Sequence, residues 1–169
     1  MANTQSMVTG FMGKLMTATH NFGVAPTRAG TGADTFNGAL LLVSGTFNAS
    51  STNYTGTVGS STMSGEVSGA GYTAGGVAVT NATPPTATNS TITAGTAYWT
   101  PSGSLTYTSV TLATAFDSVM IFNVTNGTAG AYPAVSIHTF GSQTITAGTF
   151  TLTMPVNSVS TGLIRLATV

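Results

Sequence analysis

Val119-Met120-Ile121-Phe122, then Asn126-Gly127, then Val135-Ser136-Ile137-His138: this stretch decides the fold. Four consecutive apolar residues suit a strand covered on both faces. Asn-Gly is a strong tight-turn signal, because both residues tolerate a positive φ. Val135 and Ile137 then alternate with Ser136 and His138. A period of two is the mark of a strand with one buried face. Together the three pieces read as an antiparallel β-hairpin.

The same signals recur on both sides. Upstream, Ala39-Leu40-Leu41-Leu42-Val43 is a second apolar run suited to a doubly covered strand, and Val77 and Val79 alternate with Ala78 and Thr80. Leu105 and Tyr107 share one parity, while Val110 and Leu112 hold the other. That switch predicts a β-bulge near Thr108 and Ser109. Downstream, Phe150, Leu152 and Met154 alternate with threonines, and Leu163-Ile164-Arg165-Leu166 is a final short strand. Gly75-Gly76, Gly141-Ser142 and Ala147-Gly148 read as turns. Phe22 to Asp34, Asn48 to Ser61 and Asn81 to Thr96, the last with Pro84-Pro85, read as loops. Threonine is abundant and β-branched, which favours strands. The predicted class is all-β: an antiparallel β-sandwich or jelly roll.

The N-terminus differs. Met7, Phe11, Leu15 and Ala18 recur at helical spacing, with Val8, Met12 and Met16 widening the stripe. Met7 to Thr19 therefore predicts a short amphipathic helix capped by Ser6. Gly10 and Gly13 weaken it by about 1 kcal/mol each relative to Ala. An arm that docks on a neighbouring subunit fits the same residues. The expected organisation is an arm or helix over residues 1–22 and one sandwich domain over 23–169. Deleting the arm is then expected to leave a folded sandwich.

Charge is nearly absent. Asp, Glu, Lys and Arg make up 4% of 169 residues, against about 25% in an ordinary globular domain. Yet 41% are hydrophobic and the mean hydropathy is +0.32. Thr, Ser, Gly, Ala and Asn take the place of the usual charged exterior. Such a surface hydrogen-bonds but repels nothing, and it suits coverage by copies of itself or by a large partner. The net charge is zero, so nucleic-acid binding is not expected. There is no cysteine, which excludes disulfides, zinc–thiolate sites and thiol catalysis. Met1 to Ser6 lacks the basic and apolar regions of a signal peptide. The longest aliphatic run is far short of the roughly 20 residues that span a bilayer. No membrane association is expected.

Chemistry is scarce as well. The charged residues are Lys14, Arg28, Asp34, Glu66, Asp117 and Arg165, joined by His20 and His138. No two carboxylates lie close in sequence, so no acid/base pair is expected. The histidine spacing does not suggest metal ligation, and His138 reads as a solvent or interface histidine. The glycine-rich piece from Gly65 to Gly76 lacks a P-loop lysine, and no nucleophile elbow occurs. The expectation is no enzyme, no catalytic residue, no cofactor and no metal. Glu66 and Arg165 are a candidate structural ion pair. Trp99 reads as a core or interface anchor rather than a sugar platform.

Glu66-Val67-Ser68-Gly69-Ala70-Gly71-Tyr72-Thr73-Ala74-Gly75-Gly76 resembles the E-V-x-G-x-G-Y-x-x-G-G signature of small virion structural proteins of tailed bacteriophages. Other landmarks are similar in order: His20-Asn21-Phe22, Asp34-Thr35-Phe36, Trp99, Val119 to Phe122, Phe140 to Thr144, Ala147 to Thr151 and Gly162 to Leu166. The resemblance covers most of the chain from His20 onward. The insertions after Asp34 and Thr80 are longer here.

The resemblance implies a virion component, and with the low charge the first reading is a capsid decoration, or cement, protein. It would bind the outer surface of the major capsid protein shell in many copies, as a dimer or trimer. It would be made in the host cytoplasm and reside on the virion. The alternative is a tail, neck or fibre-associated structural protein. A further reading is a receptor- or carbohydrate-binding module using Tyr54, Tyr72, Tyr98, Trp99 and Tyr107. Phe11, Leu15, Met16 and Trp99 are the candidate subunit or capsid contacts.

Overall fold

A computed structural model of the chain describes residues 2–22, 33–80, 86–88 and 95–167. Among the described residues the protein is all-β with one short helix: 45% of them lie in strands and 6% in helix. The strands are β1 (Ser6–Met7), β2 (Phe36–Leu42), β3 (Asn53–Tyr54), β4 (Val77–Ala78), β5 (Thr86–Thr88), β6 (Thr96–Trp99), β7 (Leu105–Asn123), β8 (Tyr132–Leu152) and β9 (Ile164–Ala167). The helix α1 is Thr9–Met16.

Every strand pairing among the described residues is antiparallel. The larger sheet runs β1-β8-β7-β2-β4, with β3 also on β8, and the smaller runs β5-β6-β9. Aromatic packing joins the two sheets. Trp99 of β6 lies 4.7 Å from Phe22 and 6.3 Å from Phe36 of β2, centroid to centroid, and Phe22 stacks on Phe36 at 4.5 Å.

The hairpin of β7 and β8 is the spine of the fold. The apolar run Val119 to Phe122 is buried throughout, as is β2 from Phe36 to Leu41. These are the two doubly covered strands that the composition predicts, and they pair with each other. The predicted bulge is present: the β7–β8 register shifts between Tyr107 and Val110, and Ser109 has φ of 54°.

Other breaks fall differently. Gly141-Ser142 and Ala147-Gly148 do not turn the chain; β8 runs through both. They coincide with register shifts against β7, and Ala147 has φ of 46°. A bulge absorbs the extra residue and bends the strand without ending the ladder. Strands that read as separate pieces are thereby fused into two long ones. Asn126-Gly127 does connect them, within the longer link 124–131. There the Asn126 backbone N–H donates to Asn123 Oδ1 at 3.0 Å.

Two loop expectations fall partly on undescribed residues. Residues 23–32 with Arg28, and 81–85 and 89–94 with Pro84-Pro85, lie outside the described residues. Within the second expected loop, Thr86–Thr88 instead forms β5 and pairs with β6.

The N-terminal segment is not a detached arm. Asn3 donates from Nδ2 to the Leu42 carbonyl at 2.9 Å and to Asp117 Oδ1 at 2.7 Å, and accepts from the Phe47 N–H at 3.1 Å. Ser6 does not cap the helix; it pairs with Ile137, and Val8 holds the N-cap position. Val8, Phe11 and Phe22 belong to the same hydrophobic core as β2, β7 and β8. The boundary at residue 22 therefore cuts through one core. The apolar stripe looked like an arm because a helix of this length needs something to lie on, and its own sheet supplies it.

The chain lacking residues 1–22 is accordingly expected to lose cooperative unfolding. Phe11→Ala in the full chain is expected to cost about 3–5 kcal/mol. Urea denaturation followed by tryptophan fluorescence checks both.

Candidate functional site

Glu66 is a buried acid held on every side. It is 4% exposed, yet its carboxylate has no cation beside it among the described residues. Four donors converge on it instead. Tyr54 Oη donates to Oε2 at 2.7 Å and the Met63 N–H to the same oxygen at 2.9 Å. Tyr72 Oη donates to Oε1 at 2.8 Å and the Gly75 N–H at 2.7 Å. Both oxygens are occupied, so no open side remains for a substrate.

The surrounding sequence explains how these donors arrive. Glu66 bridges to Leu41 and the Val67 N–H donates to the Leu40 carbonyl at 3.0 Å, which lays the segment against β2. The chain then folds back so that Tyr72 and Gly75 reach the carboxylate. Tyr72 Oη also accepts from the Leu40 N–H at 3.1 Å, and its ring stacks on Tyr107 at 6.0 Å. Tyr107 Oη donates to the Gly38 carbonyl at 2.7 Å. Gly71 and Gly76 have φ of +76° and +68°, and a Cβ on either would collide with the carbonyl oxygen of Ser109 or Gly38 respectively. Only glycine meets both demands. The signature from Glu66 to Gly76 is therefore a loop wound around a buried carboxylate and pressed on the sheet.

Burial pushes the Glu66 carboxyl above its ordinary value, against the opposing pull of its four donors. The same burial and the nearby carboxylate push the Tyr54 and Tyr72 hydroxyls upward, so both stay protonated and able to donate.

A second polar network closes the other end of the core. Asp34 Oδ2 accepts from the Asn21 N–H at 2.6 Å and from the Nδ2 atoms of Asn123 and Asn126, each at 2.7 Å. Asn123 Nδ2 also lies 3.0 Å from His20 Nδ1. That nitrogen must accept, so the proton sits on Nε2, which is buried without a hydrogen-bond partner among the rings of Phe11, Phe22 and Phe36. Burial holds the His20 pKa down at about 4. These residues come from three separate stretches of the sequence, and no motif joins them into one network.

The structure separates the expected ion pair. Arg165 is exposed and donates from an Nη atom to the Ser160 carbonyl at 2.8 Å, while Glu66 is enclosed by tyrosines and backbone. Burying a guanidinium beside Glu66 would require desolvating a second charge, and neutral donors satisfy the carboxylate without it.

The contact candidates divide. Phe11 and Trp99 are core residues, 1% and 3% exposed. Leu15 is half-buried and lines a small apolar groove with Phe22, Tyr98, Ile164 and Leu166. Met16 alone projects, 88% exposed. Tyr54, Trp99 and Tyr107 are buried, so three of the five rings considered for stacking on sugars are in the core. His138 is half-buried, with Nε2 2.9 Å from Ser136 Oγ in a cleft of about 200 Å³ beside β1 and β9. Burial lowers its pKa to about 4.

Among the described residues no group of three or more His, Asp or Glu side chains could hold a metal ion, and no helix is long and apolar enough to cross a membrane. No family model, curated protein or solved structure matches this chain.

Glu66→Gln presents an amide N–H₂ to two of the four donors. It is expected to destabilise the fold by about 1–3 kcal/mol. Because the folded Glu66 binds its proton more tightly than the unfolded residue, its contribution falls as pH rises above the ordinary value of 4.5. The stability difference between wild type and Glu66→Gln should shrink in that direction. The histidines act oppositely. Their folded values of about 4 lie below 6.5, so the unfolded chain takes up protons first. Their contribution is full above pH 6.5 and is lost as pH falls towards 4. His138→Gln should make that loss shallower in denaturant midpoints measured across the range.

Proposed function

We propose that this chain is a non-enzymatic virion structural protein, and specifically a capsid decoration protein. It binds the outside of a capsid shell in many copies and braces it. The observation that carries this reading is the exterior. Asp34 and Glu66 are buried, Lys14 and Asp117 are half-buried, and Arg165 is the one charged side chain among the described residues that is exposed. The charges among the described residues are thus largely withdrawn from a surface of hydroxyls, amides and small apolar groups.

Such a surface has little long-range field. Its contacts are short-range and almost insensitive to salt. Each contact is modest, and repetition around a closed symmetric shell sums them into a large stabilisation. A rigid all-β body suits that task. The resemblance of Glu66 to Gly76 to the phage virion signature supports the same reading, since those residues serve to lock a loop onto the sheet. Tail, neck or fibre attachment would use the same surface at a lower copy number.

Quantitative mass spectrometry of gradient-purified particles tests this. A copy number comparable with that of the major capsid protein is the expected result. A handful of copies per particle would move the protein to the neck or tail. Its absence from particles would overturn the proposal.

A further inference from the structure

Among the described residues, the outer edge of β8 is partnered by a strand only at its start. β3 pairs with it at Tyr132 and Pro133, and β1 at Ser136 and Ile137. From Thr139 to Leu152 no described strand lies on that side. An unpaired edge of this length presents backbone donors and acceptors to any strand that approaches. Proteins ordinarily guard such edges with Lys, Pro or bulges. Thr139 to Leu152 contains neither a charged residue nor a proline. It does contain bulges, the last of them at Ala147. Beyond it, Gly148-Thr149-Phe150-Thr151-Leu152 runs without an inserted residue on the β8 side. Five residues is the length of an ordinary strand.

We propose that this five-residue edge is a homodimer contact, in which β8 of a second copy pairs antiparallel across a two-fold axis at Phe150. The sequence of the edge selects a second copy as its occupant. With Phe150 on the axis, Phe150 faces its own equivalent, Gly148 faces Leu152, and Thr149 faces Thr151. Aromatic pairs and Thr–Thr pairs are favourable cross-strand neighbours. The small Gly148 leaves room opposite Leu152.

The exposure pattern agrees. Gly148, Phe150 and Leu152 are half-buried on one face, while Thr149 and Thr151 are exposed on the other. Phe150 already packs edge-on against Phe116 at 5.1 Å and near Phe140 at 5.5 Å. A second copy would extend this aromatic cluster across the axis. With no charge on the edge, like meets like without repulsion. The pairing is isologous and closes at two copies. It stands independently of where on a virion the protein acts.

The test uses the full chain in sedimentation equilibrium over a rising concentration series. Wild type should approach twice the 16.9 kDa monomer mass. The double substitution Thr149→Lys/Thr151→Lys sets like charges opposite each other and should stay monomeric, with unchanged circular dichroism because both positions are exposed. Thr149→Glu/Thr151→Glu should do the same, and mixing the two variants should restore a heterodimer. A wild type that remains monomeric at every concentration would overturn the proposal. So would an oligomer that survives both double substitutions, or a mixture that fails to pair.

Discussion

The carboxylate of Glu66 lies in the interior with four donors around it and no cation among the described residues, and much of the fold is arranged to supply those donors. Tyr54 comes from β3, Met63 from the following loop, and Tyr72 and Gly75 from the glycine-rich segment. A single side chain thereby fixes pieces of backbone that have little regular structure of their own. Tyr72 and Tyr107 then carry the restraint to β2, through the Leu40 N–H and the Gly38 carbonyl. A buried polar cluster of this kind is costly unless every member is satisfied. Satisfied, it specifies one arrangement of loops where apolar packing alone would tolerate several.

The second network does for the N-terminus what Glu66 does for the glycine-rich segment. Asp34 gathers Asn21, Asn123 and Asn126, while the rings of Phe11, His20, Phe22 and Phe36 pack beside it. Trp99 brings the smaller sheet onto the same cluster. Two of the three acidic side chains of the chain are thus used inside. Among the described residues the buried acids lie where donors surround them, and the surface is left largely to hydroxyls and amides. That division suits the proposed life against a shell of repeated neighbours.

Period and parity made much of the fold legible in the sequence. The doubly covered strands at Leu40 and Ile121 show as unbroken apolar runs, and the bulge at Ser109 shows as a change of parity between Tyr107 and Val110. Glycine misled at Gly141 and Gly148, because the same backbone freedom serves a turn and a bulge, and only the partner strand decides between them. The role of Glu66 was half legible. Its isolation marked it as structural, but a carboxylate suggests a cation, and the donors are hydroxyls and backbone N–H groups that no charge count reveals. The helix residues Phe11 and Leu15 were identified as apolar contacts, yet a stripe does not say whether it meets its own sheet or a neighbour's. His20, Asp34 and Asn126 stood in landmarks of the sequence, but nothing there joined them with Asn123 into one network, which exists only once several elements meet.

The most direct measurement is a cryo-electron-microscopy reconstruction of purified particles with this chain traced into the density. The proposal predicts density for it at repeated sites over the capsid exterior, with the Glu66 carboxylate enclosed within each copy. Density confined to the unique vertex or the tail, or no density for the chain at all, would contradict it.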